Sequence, residues 1–587
     1  MASTTALFTG LSGMTANSRN IDVIGNNIAN VNTTSYKSSR MLFSTMFSRN
    51  MTAGSAPSEA RGGSNPFQIG YGVQAGGTQR NMTGGAISAT GDARDLAIDG
   101  AGFFVMNRGP SQVFTRAGAF RANQNNDLVD LAGNRLQGFG VDANFNIIPG
   151  QLIDLNVPLG SMTLAEATRN VKFSGNLNSD GLLPTQGARI NLTGTGSNAL
   201  RAITTANPAP TAPDIIDRTT RLVDIEDPTL LGSDTPLFTA GQRFEIKGAE
   251  KGGKQLPTAS FAVTATTTID DLNTFLAEAL GIDLNAGANP DGSMPGVDIN
   301  GVTGEISIIG NTGTANDLVI DVADLRITNG AGTFLRSPFA SAKAVAADGE
   351  SVRTTFVAFD SLGSPVEVDL TLTLESRGVN GTTWRYSVES VDDSDIALQV
   401  GSGTVSFDSN GQPLNPLPLG IAIDRDGSGA DSPLSISLSF TGNDGSNGVT
   451  SLSDSRSTLA ATARDGAPIG TLSAYAVGAD GIITGAFTNG LTRTLGQVAI
   501  ATFANPEGMV DAGNSMFTVG ANSGNPVITA AGEFSAGSVI GGALELSNVD
   551  LGEEFIKLIL SSTGYSASSR VIRTADDLMQ QLMTLGR

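Results

Sequence analysis

One acidic loop in the sequence has the residue types of a calcium site. The segment Asp424-Arg425-Asp426-Gly427-Ser428-Gly429 places side-chain oxygens at positions 1, 3 and 5 and glycine at position 6, as calcium-binding loops do. Position 12 is Ser435, where such loops carry a Glu that binds the ion through both carboxylate oxygens. A turn between two strands is the simpler interpretation, and the sequence leaves open whether this loop binds calcium.

The other residues with catalytic or cofactor-binding chemistry do not form a recognisable site. Asp392-Asp393 and Asp576-Asp577 are adjacent carboxylates on polar stretches, which are usually solvated. Gly401-Ser402-Gly403 lacks the third glycine and the following helix of a nucleotide-binding loop, and it predicts a turn. Because the chain has no His and no Cys, the commonest general base and the thiol nucleophile are missing. We therefore predict neither enzyme activity nor a cofactor, and assign no catalytic, cofactor-binding or metal-binding residue.

The composition indicates a large β-rich protein. A chain of 587 residues is too long for one hydrophobic core and predicts about four domains. Its 73 Gly, with 16% charged and 5% aromatic residues, is typical of many short strands joined by turns. The formal charge of −21 argues against a nucleic-acid partner. The sequence contains no apolar run of about 18 residues, so it predicts no helix that spans a membrane.

The two ends of the chain carry apolar stripes that position everything between them. Near the N-terminus the stripe follows alternating steps of four and three residues, at Leu7, Leu11, Met14, Ile21 and Ile28. Between residues 551 and 585 the same rhythm returns at Leu551, Phe555, Leu558, Tyr565, Ile572 and Met579. These stripes predict two helices that pack together, although Gly564 should cost the second helix about 1 kcal/mol relative to Ala.

Four motifs in these regions resemble a known family. The motifs are Gly10-Leu11-Ser12-Gly13-Met14, the run from Asn26 to Lys37 (NNIANVNTTSYK), the run from Leu96 to Phe104 (LAIDGAGFF), and Leu546-Ser547-Asn548-Val549-Asp550-Leu551. Together they resemble the axial rod and hook proteins of the bacterial flagellum, and in particular its hook proteins. The resemblance covers the first third and the last fifth of the chain.

The resemblance implies a structural protein. It implies a subunit of a flexible helical homopolymer that joins the motor rod to the filament, with the rod, the hook cap and the hook-filament junction as further partners. It also implies export through the flagellar type III apparatus to the outside of the cell, without a cleaved signal peptide. The alternatives are a distal rod protein of the same family and a monomeric β-rich surface adhesin. The residues expected to pack between subunits are Leu7, Leu11, Met14, Ile21, Ile28, Phe555, Leu558, Ile572 and Met579.

The predicted fold is a mostly β multidomain protein with nested insertions, in which the N- and C-terminal helices form a coiled-coil-like rod. One helix is also predicted within the chain, beginning after an N-cap at Thr268 and ending at Gly281. The expected parts are a terminal helical domain (1–37 with 547–587), a linker that orders on assembly (38–90), a discontinuous β domain (91–177 with 461–546), an inserted outer α+β domain (178–345) and an inserted β domain (346–460).

Overall fold

The computed structural model describes residues 2–59, 61–196, 198–203, 215–414, 418–442, 448–453 and 455–585. The chain divides into two compact units, and the second is inserted into the first. The first unit comprises Met1–Thr163 and Thr471–Arg587, and the second comprises Leu164–Gly470. The fold is mostly β with one long helix at each end, which confirms the predicted fold class.

The elements before residue 167 are one helix and a series of short strands. They are α1 (Ala2–Ala29), β1 (Ser39–Thr45), β2 (Ser48–Thr52), β3 (Phe67–Gly70), β4 (Val73–Arg80), β5 (Ile87–Ala89), β6 (Leu96–Asp99), β7 (Phe103–Arg108), β8 (Ser111–Thr115), β9 (Arg121–Ala122), β10 (Leu128–Val129), β11 (Arg135–Val141), β12 (Ile147–Asp154) and β13 (Thr163–Glu166).

The elements of the inserted region are mostly strands. They are β14 (Asn170–Asn178), β15 (Gly187–Gly194), β16 (Arg243–Ile246), β17 (Glu250–Lys251), β18 (Lys254–Gln255), β19 (Ala259–Ala262), α2 (Ile269–Ala279), β20 (Gly296–Asn300), β21 (Glu305–Thr312), β22 (Leu318–Val319), β23 (Leu325–Thr328), β24 (Phe334–Arg336), β25 (Phe339–Val345), β26 (Ser351–Phe359), β27 (Pro365–Gly378), β28 (Gly381–Ser390), β29 (Gln399–Phe407), β30 (Leu419–Ile423), β31 (Leu434–Ser439), β32 (Val449–Leu452) and β33 (Thr458–Arg464).

The chain then returns to the first unit and ends in its longest helix. These elements are β34 (Ala467–Val477), β35 (Ile482–Phe487), β36 (Thr492–Thr502), β37 (Val510–Gly513), β38 (Met516–Thr518), β39 (Val527–Ala530), β40 (Ser538–Gly541), β41 (Ala543–Glu545) and α3 (Leu551–Leu585).

The β body of the first unit is built from both halves of the chain. Its central sheet runs in the order β34-β35-β36-β11-β7-β8-β38-β37, with antiparallel pairing throughout. β36, from the C-terminal half, pairs with β11 and β7 of the N-terminal half, with Val498 opposite Gly138 and Ile500 opposite Phe104. The buried side chains of Phe103, Phe114, Phe139 and Phe517 fill one face of the sheet. The two halves must therefore come together before this core exists.

The segment from 38 to 90, predicted as a linker that orders on assembly, contains paired strands in the single chain. Within a single chain, β1 pairs with β4 and β2 pairs with β3, while β5 pairs with β41 next to the C-terminal helix. The ladder hydrogen bonds give the backbone of this Gly-rich segment partners without any second copy. Every side chain of β2 and β3 is exposed. The hairpin of β2 and β3 is thus formed in one chain, and its side chains are exposed to solvent.

The second unit contains a two-sheet β structure. Sheet β26-β27-β28-β29 and sheet β30-β31-β14-β32 share one core, in which Trp384, Phe173 and Phe407 are fully buried. The sequence placed β14 in the discontinuous domain that ends at 177, whereas β14 lies in the compact unit that begins at Leu164. The physical reason is that Val171 and Leu177 are buried in this core, beside parallel partners β31 and β32.

Residues 182–345 form the remaining α+β part of the second unit. Its sheets β20-β21-β15-β25 and β19-β16-β23-β24 enclose α2 in one apolar core. α2 begins as predicted, because the Thr268 hydroxyl accepts a hydrogen bond from the Asp271 N–H and the Asp271 carboxylate accepts one from the Thr268 N–H. Gly281 follows the helix with φ 60°, a conformation that favours glycine. The predicted start of this helix after Thr268 and its predicted end at Gly281 are both confirmed.

Candidate assembly surface of the terminal helices

The two terminal helices pack side by side in opposite directions. A methyl group at Gly10 would lie 2.8 Å from Cγ1 of Ile572, and one at Gly564 would lie 3.0 Å from the Asn17 amide. Since residue 10 meets 572 and residue 17 meets 564, the helices run antiparallel. Small residues at the seam allow the two backbones to approach closely, and they explain why α3 continues through Gly564 as one helix of 35 residues.

Polar side chains complete this seam. Asn20 donates from Nδ2 to Oγ of Ser561 at 2.6 Å, and Asn27 donates from Nδ2 to Oε2 of Glu554 at 3.1 Å. Asn27 and Glu554 are both buried. Because a buried polar group without a partner is destabilising, these pairs favour one axial register of the two helices.

Sequence reasoning missed most of this seam. On α1 the seam residues recur at steps of three and four, the same spacing as the apolar stripe, at Gly10, Gly13, Asn17, Asn20, Ile24 and Asn27. The periodicity was present in the sequence. Five of its six members are Gly or Asn, however, and a search for apolar spacing does not detect them.

The predicted inter-subunit residues are only partly covered by the helix pair. Leu11 and Phe555 are each 50% exposed, and Ile572 touches Gly10 across the seam. The other members are half-buried within one chain, and these are Leu7, Met14, Ile21, Ile28, Leu558 and Met579. Their packing between subunits remains a prediction.

The face of α3 that points away from α1 is apolar and exposed. Ile556, Ile559 and Leu560 are between 61% and 67% exposed. They recur at the i, i+3 and i+4 spacing by which a helix presents one face to a partner. We call these three side chains the outward row.

A groove lies on the opposite side of the pair, between α1 and the hairpin of β1 to β4. It encloses about 770 Å³ and is mostly apolar. The rings of Phe47 and Tyr71 lie 5.5 Å apart at its rim, and the Val73 N–H donates to Oγ of Ser12 at 3.3 Å. Its lining residues are Phe8, Leu11, Ser12, Thr15, Ala16, Arg19, Met46, Phe47, Tyr71, Val73, Gln74 and Ala75.

A buried ionic cluster joins the base of the helix pair to the β body. Nζ of Lys37 lies 2.6 Å from Oε1 of Glu545 and donates to the Thr83 carbonyl at 2.8 Å. Arg116 approaches Oε2 of Glu545 at 3.4 Å and donates to the carbonyls of Gly100 and Gly102. Burial lowers the pKa of Lys37, and the neighbouring Glu545 carboxylate opposes that effect.

The motifs with possible chemistry lie elsewhere in the fold. At the acidic loop that begins at Asp424, the carboxylate oxygens of Asp393, Asp395 and Asp424 lie within 4.8 Å of one another. Calcium binding by this loop stays an open question. Burial raises the pKa of Asp424 and the neighbouring carboxylates raise it further. Asp576 and Asp577 are exposed on α3.

Gly401-Ser402-Gly403 lies in β29 rather than in the predicted turn. A methyl group at Gly403 would lie 2.8 Å from the Tyr386 ring, and one at Gly401 would lie 2.8 Å from Ile421. The glycines therefore serve close packing along a strand.

Four family models match the chain in the order of its parts. "Flagella basal body rod protein" matches residues 7–37, and "Flagellar hook protein FlgE/F/G D1 domain" matches 97–185. "Flagellar basal body protein FlaE D2 domain" matches 336–467, and "Flagellar basal body rod FlgEFG protein C-terminal" matches 540–585. The outer part between 186 and 335 lies outside these matches.

Full-length relatives agree with these models. The flagellar hook protein FlgE of Treponema pallidum is 28% identical over 587 residues and covers 99% of both chains. That of Caulobacter vibrioides is 27% identical with 100% of both chains covered, and that of Salmonella typhimurium is 23% identical with 98% covered. The crystal structure of Helicobacter pylori flagellar hook protein FlgE2 matches with 16% identity and a TM-score of 0.38, over 78% of this chain and 100% of that chain.

The family models and the full-length relatives define the chain as a flagellar axial protein of the rod and hook class. Within that class it is a flagellar hook protein, a structural subunit of the hook and basal body. Relatives matched along the whole chain give no support to a distal rod protein or an adhesin. Among the described residues, none of the helices has the length and apolar character needed to cross a membrane.

Proposed function

We propose that copies of this chain polymerise through their terminal helices into a flexible tube that couples the motor rod to the filament. The observation that carries the proposal is the apolar surface that one helix pair leaves uncovered, both in the groove and along the outward row. Burying one large apolar side chain contributes about 1.5–3 kcal/mol. A neighbouring copy that covers several of them gains enough to order a polymer.

The groove and the outward row lie on opposite sides of the helix pair. Gly13 packs against α3, and Thr15, two residues later, lines the groove. Ser561 contacts α1, and Ile559, two residues earlier, belongs to the outward row. Residues two apart on a helix of 3.6 residues per turn are separated by about 200°, so they face opposite directions.

This arrangement favours a head-to-tail contact between copies. When the outward row of one copy enters the groove of the next, the first copy keeps a free groove and the second keeps a free row. A contact between two different surfaces repeats, and it generates rings or open helical filaments rather than a closed dimer. The proposed contact therefore has the symmetry that a tube requires.

A cross-linking experiment tests this contact without background, because the natural chain has no Cys. In the double variant Thr15→Cys and Ile559→Cys, oxidation of the polymer should produce a ladder of covalent oligomers. Each single variant should produce no ladder. The matched control pairs Thr15→Cys with Leu182→Cys, whose site is 80% exposed in the other unit. Tubes that form normally but give no ladder would show that other surfaces meet.

Salt dependence gives a second test of the polymer. Each copy carries a formal charge of −21, so packing copies together brings like charges near one another. The Debye length falls from about 10 Å at 0.1 M salt to about 3 Å at 1 M, which weakens the repulsion. Electron microscopy should show more tubes as sodium chloride increases, and a monomer at every salt and protein concentration would contradict the proposal.

We also infer the cellular context. The chain would leave the cell through the flagellar type III export apparatus, without a cleaved signal peptide, and meet the rod, the hook cap and the hook-filament junction outside the membrane. Its role would be structural, without catalysis. The test is secretion of the chain in cells with and without an export gate: equal amounts in the medium would contradict this route.

A further inference from the structure

A small cavity lies inside the second unit, where the α+β part of residues 182–345 covers the sheet of β26 to β29. It encloses about 100 Å³. Six of its lining residues are polar side chains no more than 9% exposed, and these are Asp283, Asn289, Asn316, Thr371, Thr373 and Ser387. The cavity is therefore separate from the assembly surface of the helices.

The protein uses the hydrogen-bond donors around this cavity and leaves acceptors free. Nδ2 of Asn316 donates to the Thr312 carbonyl at 2.9 Å, which fixes the orientation of that amide. The Asp283 N–H donates to Oδ1 of Asn311 at 2.8 Å, and Oδ1 of Asp283 accepts from the Asn285 N–H at 2.9 Å.

Three oxygen atoms have no hydrogen-bond partner among the described residues: Oδ2 of Asp283, Oδ1 of Asn316 and Oγ of Ser387. Two of them can only accept, because a carboxylate and an amide oxygen carry no proton to donate. Buried acceptors of this kind need either a donor or a cation. The occupant must therefore be a hydrogen-bond donor or carry positive charge.

The charges near the cavity favour a cation over a neutral hydrogen-bond donor. Asp283 has no ion pair in the part of the chain that the structure describes, whereas the other carboxylate lining the cavity, Glu375, is paired with Arg385 at 2.7 Å. Lys251, which donates to the Gly281 carbonyl, is already paired with Glu389. One buried negative charge is left uncompensated, and a buried charge is strongly unfavourable unless it is paired or bound to a metal ion.

We propose that this cavity binds one monovalent inorganic cation of the size of sodium, held by Asp283, Asn316 and Ser387. The ion balances the single unpaired carboxylate, and neutral oxygens complete its coordination. Asp283 and Asn316 belong to the α+β part and Ser387 to the sheet below it, so the bound ion links the two parts of the unit. Ion binding would stabilise their association.

Thermal unfolding tests the proposal on the full chain, followed by the fluorescence of Trp384. This is the single Trp of the sequence, and it is buried on β28, the strand that carries Ser387. The probe is sodium chloride, compared with tetramethylammonium chloride at equal ionic strength, because the methyl groups of that cation keep carboxylate and amide oxygens too far from its charge to coordinate it. Above the dissociation constant, each tenfold increase in sodium should raise the midpoint by roughly 3 °C, with no such rise in the other salt.

Two variants make the assignment specific. Asp283→Asn keeps the shape of the side chain and removes its charge, and it should abolish the difference between the two salts. Ser387→Ala should shift the sodium effect to higher concentration, which keeps the test valid if Asp283→Asn fails to fold. The control Glu305→Gln lies on β21, beyond the cavity lining, and should retain the full sodium response. Equal midpoints of thermal unfolding in both salts for the natural chain would overturn the proposal and indicate that water fills the cavity.

Discussion

Lys37 and Glu545 connect the two ends of the chain through a buried ion pair, with Nζ 2.6 Å from Oε1 and each side chain 1% exposed. Lys37 follows the N-terminal helix and Glu545 precedes the C-terminal one. The pair therefore fixes the points where both helices leave the β body. Ser35 reinforces this junction, since its N–H donates to the Glu545 carbonyl at 2.9 Å and its hydroxyl to the Arg116 carbonyl at 2.7 Å.

Removing the lysine from this pair should destabilise the first unit strongly. Lys37→Met leaves the Glu545 carboxylate buried with only the more distant Arg116 as a cation, and breaking a buried pair in this way costs about 3–5 kcal/mol. Urea unfolding measures the loss. The control Arg135→Met removes partly exposed pairs with Asp127 and Asp154, for each of which about 1 kcal/mol or less is expected. Similar losses in both variants would show that the buried pair is not a special anchor.

A second prediction concerns alkaline pH. Burial raises the pKa of Tyr475 to about 12, and its hydroxyl has no hydrogen-bond partner among the described residues. In the unfolded chain this phenol ionises near pH 10. The folded state therefore keeps a proton that the unfolded state loses, and this contribution to stability is complete below pH 10 and is lost as the pH rises towards 12. At most about 2.7 kcal/mol is involved.

Tyr475→Phe should remove this part of the alkaline destabilisation without lowering stability at neutral pH. The measurement is the free energy of unfolding in urea between pH 8 and pH 12, compared with the natural chain. Tyr565→Phe, at an exposed position of α3, should keep the original slope. Parallel slopes in the natural chain and in Tyr475→Phe would contradict the assignment.

The helix pair provides a matched test of its glycines. Gly25→Ala should stabilise α1 by about 1 kcal/mol, because no atom lies within 4 Å of the added methyl group and Ala is the better helix former. Gly10→Ala gains the same propensity but places its methyl group 2.8 Å from Ile572 and 3.2 Å from the Ser568 carbonyl. We expect it to separate the helices and lower their melting temperature, measured by circular dichroism of the monomer. Equal stabilisation by both changes would mean that the helices are not closely packed.

The sequence predicts secondary-structure elements with periodic apolar residues more reliably than elements without them. The alternation of Val366, Val368, Leu370 and Leu372 predicts a strand, and these side chains are all buried in β27. The seam of Gly10 and its neighbours has the same regularity in residues that are mostly Gly and Asn, so the pairing of the two helices was predicted but the residues that form the seam were not. Long-range pairing is also absent from local patterns, so the parallel partners of β14, which are β31 and β32, could not be predicted.

A fourth prediction separates the outward row from the seam. Ile559→Asp introduces a charge where the single chain is exposed, so the monomer should unfold as before while the critical concentration for polymerisation rises at least about 100-fold. Ala575→Asp places the same charge at a buried position of α3 and should reduce the helical content of the monomer as well. Sedimentation and circular dichroism measure the two effects. Loss of monomer stability in Ile559→Asp would mean that the row already has a partner within one chain.

The last prediction is that residues 184–347 can be removed while the two-sheet structure of the second unit is retained. The chain enters and leaves this part at adjacent positions, because the Glu350 N–H donates to the Leu182 carbonyl at 2.7 Å. The sheet face that would become exposed is polar, with Thr371 and Thr373 along β27, and Trp384 is buried on the opposite side in the shared core. The carboxylates of this sheet that lose their lysine partners become solvated. The loss in free energy of unfolding should therefore be on the order of 1 kcal/mol.

The shortened chain should therefore unfold cooperatively, with the emission of Trp384 as blue-shifted as in the natural chain, and it should still form tubes. Removal of 184–347 together with β14 (Asn170–Asn178) serves as the control, since it takes Phe173 and Leu177 out of the shared core and should unfold the sheets. If the shorter deletion also exposes Trp384, the α+β part is required for the core beneath it. The two parts would then be a single folding unit rather than an insertion on a complete domain.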